Sequence, residues 1–528
     1  MEKSIKNVRN NWFYFLSVIA WTIFYCYYHT KIWVSSDHVT MIPFAKDFLS
    51  GNLLLKGWVA GSNNFFFTET LFYLPGLALG VSGYTLEAVL SSLTMALIVV
   101  EASAFFLRQK GFLYVLVYYA IVGMVPVGMS HILINSNSHN GLYAVLLLEF
   151  WILLKYIESE SNRYGLVIAY MVIGVLALYS DSVALMGLIA PVLCLCAYMI
   201  LLKRKNTPEL IRWMIMFWAT AFIFVLAKLF SRVIRMLGGI VTLGYPTKLV
   251  GLAEAKVRAI EWFGQVEIVW GYTPWGAGFF GHCYHVAIVG IMVLFGISIA
   301  YFFIKAVLFR IDYKALLAWL IVVINLGGCV FTNADIHPRY CVLSFIFGVI
   351  LVLYFVFDVT AICEGKKSQS SNNKISVIRV VAIVLSLFFT ISVSWYRGEA
   401  IIKMQPYTYL TETQNAADFI LENNLGTGYG QFWCGPIIAA MTDYKYNILP
   451  IYTSEDGFKE YSNLVNTRWY DETEIHYTVT FQNDDENDDV GVKNEEIIGF
   501  LGEPDWIKDI YNYRIMYWDK DISQWMVK

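Results

Sequence analysis

Apolar runs long enough to cross a bilayer recur from near the start of this sequence to about residue 394, and that recurrence limits the fold more than any other feature. Eleven segments qualify, at roughly 12–30, 84–107, 112–130, 141–157, 164–180, 183–202, 210–230, 284–304, 315–332, 340–358 and 376–394. A spanning helix needs about 20 mostly apolar residues, because each adds only ~1.5 Å across a ~30 Å hydrocarbon layer. Only 15% of the 528 residues are charged, against about 25% in soluble chains. Lipid is therefore the expected solvent for most of the surface. The first run follows MEKSIKNVRNN and lacks a small-residue cleavage site, so it reads as an uncleaved span.

The connections between spans alternate in charge. One set carries Lys3, Lys6 and Arg9; Arg108 and Lys110; Arg163; Lys203, Arg204 and Lys205; Lys305, Arg310 and Lys314; and Lys366, Lys367 and Lys374. The positive-inside rule makes these cytoplasmic, and eleven spans then put the C-terminus outside. The net charge of −3 conceals a second contrast: from Arg397 onward there are 23 acidic and 10 basic residues. A transmembrane domain over 1–396 and an extracytoplasmic α/β domain over 397–528 is the simplest division. The eight cysteines show neither CxxC pairs nor zinc spacing, so no disulfide framework or metal site is indicated.

Polar residues collect on the other set of connections. All eight histidines fall there or at its edge, and two outer loops, near 31–83 and 231–283, are long. Such loops in a compact membrane protein usually carry function. In the first, Ser36 is placed to cap a helix that stops at Gly51. Its Val39, Ile42, Ala45, Phe48 and Leu49 form an apolar stripe suited to lying on the membrane interface. In the tail, Thr411 and Gln414 read as a capping box, followed by strands at GTGYGQFW and YNILPIY with a short helix between them. FQNDDENDDVGVKNEE reads as a solvated acidic loop.

Several of these residues suit catalysis or binding. Asp37, in the first turn of the loop helix, fits a general base at the membrane boundary, and equally an anion that stabilises a helix N-terminus. Glu69, late in the same loop, is the natural second carboxylate. Lys228, Arg232 and Arg235 share one helical face where the seventh span ends, a position for a lipid phosphate or for snorkelling. TNADIHPRY crowds His337 and Arg339 into one turn: Arg339 suits a phosphate and His337 a leaving oxygen. His38, His139 and Asp181 offer hydrogen-bonding support on the same side, and each alone also suits an ordinary turn. Glu101 and Glu149 fall within spans, where carboxylates are costly and point to a site or a buried partner. There is no Walker loop, no GxGxxG after a strand and no GxSxG motif, which removes any basis for nucleotide hydrolysis, hydride transfer or α/β-hydrolase chemistry.

Four stretches carry a family resemblance: SSDHVTMIPFAKDFLSGN, SNNFFFTETLFYLPGLALGVSG, IHPRY and GYGQFWCGPIIAAMTDYKYNILPIY. Together with the architecture they resemble the GT-C superfamily of integral membrane glycosyltransferases, which includes protein O-mannosyltransferases and lipid A aminoarabinose transferases. The resemblance implies a polytopic α-helical fold with a small outer α/β domain. It also implies a polyprenyl-phosphate sugar as donor and a glycan, glycolipid or protein as acceptor, at the plasma membrane. By that likeness Asp37 is the catalytic carboxylate, Glu69 stands at a recurrent glutamate, and Arg339 contacts phosphate. Asp–His stands here where many relatives have Asp–Glu or Asp–x–Asp, and one carboxylate makes a poor divalent site. No cofactor beyond the donor and no nucleic acid is implied. A transporter or flippase for a lipid-linked or small polar substrate is the alternative, and a non-catalytic scaffold is the third reading.

Overall fold

A computed structural model describes residues 2–527 apart from 137–138, 160–162, 204–205, 245–246, 274–277, 366–376, 407, 455, 472–473 and 483–491. The core of the expected acidic loop and the Lys366–Lys374 connection lie outside the described residues. Among the described residues the eleven apolar segments are helical, except that 112–130 breaks at 124–126. In chain order the helices are α1 (Glu2–His29), α2 (Ser36–Val39), α3 (Met41–Leu49), α4 (Leu71–Ala78), α5 (Gly83–Ala102), α6 (Phe112–Tyr118), α7 (Ser130–Leu133) and α8 (Asn140–Ile157). They continue with α9 (Tyr164–Ser180), α10 (Ala190–Leu202), α11 (Thr207–Met236), α12 (Leu252–Trp270), α13 (Gly278–Val307), α14 (Tyr313–Phe331), α15 (Pro338–Gly365) and α16 (Val377–Lys403). The chain is a polytopic α-helical membrane protein. Among the described residues eight helices are long and apolar enough to span, or nine if the bent pair Phe112–Gly123 and Val127–Leu133 is one crossing.

Burial sorts these helices into centre and rim. The spanning parts of α15 and α8 are 78% and 72% buried, whereas that of α16 is 17% buried. Exposed Ile168, Val225, Ile304 and Val384 on rim helices offer apolar surface to lipid. The bend between α6 and α7 frees backbone carbonyls inside the bundle, and the fully buried Arg397 meets them. Its guanidinium donates to the carbonyls of Ile121 (2.8 Å), Met124 (2.7 Å) and Trp270 (2.7 Å). Broken backbone at membrane depth is tolerated only when protein satisfies it in this way.

At one end of the bundle the loops and the tail form a single structure. The tail holds α17 (Thr408–Glu422), α18 (Gly435–Met441) and α19 (Asn494–Leu501). Two sheets accompany them. Strands β1 (Trp58–Ala60) from the first long loop, β2 (Val241–Thr242) from the second and β6 (Val465–Asn466) from the tail make one sheet, in the order β2-β1-β6. Strands β3 (Gly428–Gly430), β4 (Ile448–Ser454), β5 (Gly457–Glu460), β7 (Tyr477–Phe481), β8 (Trp506–Ile510) and β9 (Tyr513–Tyr517) make the other, in the order β5-β4-β3-β7-β9-β8.

Three local expectations are corrected. The first-loop helix is capped by Ser35, not Ser36, and His38 Nδ1 accepts the Ser35 N–H at 2.9 Å. Val39, Ile42 and Ala45 of its stripe are fully buried in one cluster with Phe432, Ile437 and Ala440 of the tail, so protein, not lipid, covers that part, while Phe48 is half-buried and Leu49 exposed. Periodicity reveals that a face is apolar, but not which apolar partner takes it. The tail helix begins at Thr408, which places Thr411 inside it and not at its cap.

Candidate active site

The tail grips the first loop at both ends of α2–α3. Tyr444 donates its hydroxyl to the carbonyl of Val39 at 3.0 Å, two residues beyond Asp37. Asp443 accepts from Gly83 N at 3.1 Å, at the start of α5, and lies 3.4 Å from Lys46 Nζ. Asp47 Oδ2 gathers donors from Trp58 Nε1 (2.6 Å), Asn52 (2.7 Å) and Asn466 of the tail (3.2 Å). The short helix carrying Asp37 is therefore held by contacts on several sides, as a preorganised site requires.

Asp37 is half-buried, and Arg339 is its charged neighbour. Burial penalises the carboxylate more than the guanidinium favours it, and the carboxyl rises to about 6. His38 is buried and falls to about 3, with burial outweighing the opposing influence of Glu87. It is neutral near pH 7. Because Nδ1 accepts from Ser35, its proton sits on Nε2.

Arg339 reaches the cluster from the first turn of α15. Its Nε donates to His337 Nδ1 at 3.1 Å, and its backbone carbonyl accepts from Tyr143 at 2.9 Å. Burial, followed by the Arg339 charge, drops His337 to about 4. His337 is thus a neutral group orienting the guanidinium, with only its Nε2–H left to donate. A second buried pair stands beside it: His139 Nδ1 lies 2.6 Å from Asp181 Oδ2, and its ring is 5.2 Å from that of Tyr340. His139 adopts φ 66° at the entry to α8, a conformation that histidine tolerates better than most residues.

Glu69 sits in the π-helical turn Phe66–Thr70 ahead of α4 and is buried. Gly141 makes that position possible, since a Cβ there would lie 2.1 Å from the Thr68 carbonyl oxygen and 2.7 Å from Glu69 Cγ. The Glu69 side chain borders a cavity of about 210 Å³ between α5 and α8.

The structure therefore brings Asp37, His38, His337, Arg339, His139 and Asp181 into one neighbourhood, with Glu69 on an adjoining wall. Lys228, Arg232 and Arg235 do not join them. On α11 the inward residues Phe230 and Ile234 line an apolar pocket with Leu55 and Ile240. At ~100° per residue the three cations point roughly 120–180° away from that face, and all three are exposed.

Sequence reasoning missed His29 and Glu87. These fully buried groups pair at 2.7 Å, and Glu87 Oε1 also accepts from Ser91 (2.8 Å) and Ser136 N (3.3 Å). Ser136 Oγ donates in turn to the His38 carbonyl at 2.5 Å. Glu87, a carboxylate in the second turn of an apolar span, is the available signal. Among the described residues no group of three or more His, Cys, Asp or Glu side chains is placed to hold a metal ion.

No family model matches the chain, and no curated protein matches it by sequence. Among solved structures, ArnT from Cupriavidus metallidurans, in the apo state, superposes with a TM-score of 0.56 at 10% identity. The alignment covers 99% of this chain and 100% of that one. The likeness is one of fold, and it extends over the bundle and the tail together.

Proposed function

We propose that this chain is a membrane glycosyltransferase that moves a sugar from a polyprenyl-phosphate donor to a cell-envelope acceptor on the non-cytoplasmic side. The observation that carries the reading is a half-buried carboxyl, raised to about 6, beside an arginine at one end of an ArnT-like bundle. A general base works best when its proton affinity lies near the working pH. An arginine suits a departing phosphate because its fork offers paired, charge-assisted hydrogen bonds. The likeness of SSDHVTMIPFAKDFLSGN and IHPRY to GT-C stretches supports the same two roles.

In this reading the acceptor hydroxyl oxygen attacks the anomeric carbon while its proton passes to the Asp37 carboxylate. The bond between that carbon and the phosphate oxygen breaks, and configuration inverts. The polyprenyl phosphate leaves with its charge held by Arg339. His337 orients that guanidinium, the His139–Asp181 pair braces the same turn, and Glu69 serves the acceptor side. The alternating charge of the connections supports an N-terminus in the cytoplasm and the tail outside, at the plasma membrane.

A transporter or flippase draws support from Glu149, which is fully buried with neither oxygen hydrogen-bonded among the described residues. A transport site is expected where a broken helix lines a cavity. Here the broken α6–α7 pair is closed by Arg397, so the transferase is favoured. The test is to incubate the purified protein in lipid with labelled polyprenyl-phosphate sugars and an acceptor pool. Transfer by the wild type and none by Asp37→Asn is the expected result. No transfer across a broad donor panel, or equal transfer by the variant, overturns the assignment.

A further inference from the structure

The cavity between α5 and α8 has two unlike ends. From Leu90 to Glu101 it follows α5 for ~16 Å, the rise of eleven residues. Its walls are apolar, with Leu97 and Leu148 partly exposed and Phe72 exposed at its border, so the cavity opens toward lipid. Its polar end is built from Tyr73, Asn135 and Asn140, each at most 2% exposed. Asn135 Oδ1 and Asn140 Oδ1 lack a hydrogen-bond partner among the described residues, and Tyr73 Oη has the Ser136 side chain beside it. Left empty, each amide oxygen carries the desolvation penalty of an unmatched buried polar atom.

The orientation of both amides is fixed. Asn140 Nδ2 donates to the carbonyls of Ile132, Leu133 and Asn135, and Asn135 Nδ2 to those of Trp33 and His131. Those partners only accept, so nitrogen must face them and oxygen must face away. What remains at the cavity end is two amide oxygens and a phenol, bordered by the Glu69 carboxylate. Glu101 Oε2, farther along, also lacks a partner. The two amide oxygens and the carboxylate repel a phosphate and match a donor of hydrogen bonds.

We infer that this slot binds an amphiphile whose head donates hydrogen bonds, an alcohol or an amine, with its apolar chain lying along α5 and α8. Ser136 places the slot next to the proposed base, since it borders the polar end while its Oγ holds the His38 carbonyl. Identifying the amphiphile as the sugar acceptor rests on the transferase reading; its binding does not. The slot divides the substrates by charge: the phosphate-bearing donor goes to Arg339, and the hydroxyl-bearing lipid to the acceptor-lined end.

The test uses the full chain in lipid nanodiscs with three diazirine-tagged probes: hexadecanol, hexadecylamine and hexadecyl phosphate. After irradiation, labelled peptides are mapped by mass spectrometry. Either the alcohol or the amine is expected to label 90–101 and 144–148 about fivefold or more over the phosphate, the equivalent of one net hydrogen bond. The stronger of the two identifies the head group. Val145→Phe, or Leu97→Trp from the opposite wall should the first variant not fold, fills the slot and is expected to remove this labelling at unchanged melting temperature. Equal labelling by all three probes, stronger labelling by the phosphate, or labelling that persists in a folded, filled variant overturns the proposal. If the alcohol or amine binds yet receives no sugar from any donor, the transferase reading falls and the slot stands. If Asp37-dependent transfer proceeds while the probes fail, the slot falls alone.

Discussion

Arg339 and the Lys228–Arg232–Arg235 stripe place similar chemistry at the same end of the bundle, and the structure treats them oppositely. Arg339 is the second residue of α15, where His337, just ahead of the helix, holds its guanidinium at 3.1 Å. The stripe belongs to a straight 30-residue helix, α11, whose inward residues are apolar and whose cations are exposed. In the first turn of a helix, the chain just before it can aim one side chain, as His337 aims Arg339. A helix commits every residue to one phase, so burying Phe230 and Ile234 against the first loop sends the cations outward. Charge at the correct height is therefore insufficient for a site, because direction decides.

The sharpest way to break this comparison is at Asp37. Asp37→Asn is expected to lower transfer by ~10²–10⁴-fold, the usual worth of a general base. In the wild type, kcat/KM should rise as pH climbs through about 6 and then level, since the base must be ionised to accept a proton. The same variant should be more stable than wild type near pH 7.5. A carboxyl held above the usual carboxylate range in the folded state opposes folding once it ionises, and asparagine removes that cost. Equal chemical or thermal stability of the two proteins would argue against the burial that raises Asp37. Arg339→Ala comes next, with an expected loss of ~10²–10³-fold in kcat, the range for one preorganised group stabilising developing charge. Arg339→Lys should recover only part of it, because a point charge cannot make the paired bonds to a phosphate.

Much of this was legible in the sequence. The described residues of ten of the eleven apolar runs form a continuous helix and the eleventh, 112–130, a bent one, and the strand–helix–strand order around Gly428–Ser454 was readable from turn residues and apolar runs. The covering of Val39, Ile42 and Ala45 was not readable, because a stripe looks the same whether lipid or a tail some 400 residues downstream lies over it. The His29–Glu87 pair was hidden for a related reason. His29 ends one span and Glu87 begins another, and only packing of α1 on α5 makes them partners. The 19-residue helix α12, in the second long loop, escaped attention because its pattern is amphipathic and too polar for a span.

Smaller effects test how firmly the tail aims Asp37. Tyr444→Phe deletes one hydrogen bond to the Val39 carbonyl and nothing else. If that bond fixes the approach of α2, kcat should fall about fivefold, the rate equivalent of ~1 kcal/mol, while donor KM stays near its wild-type value. A matching rise in hydrogen exchange of the 35–40 amides would tie the loss to loosened positioning. Unchanged exchange alongside a lower kcat would place Tyr444 in contact with substrate instead.

The smallest effect is the one that closes the comparison. Replacing Arg232 and Arg235 together by alanine should leave transfer within about twofold of wild type, because a helix ~10–12 Å thick separates these side chains from the inward face and the Debye length at physiological salt is ~8 Å. The loss should also shrink further as salt is raised. A large, salt-resistant loss would mean that α11 rotates or unwinds its last turn during the reaction to bring the stripe inward. Helical phase would then have been a poor guide to direction, and the contrast with Arg339 would describe two states of one phosphate site, not two separate fates for the same chemistry.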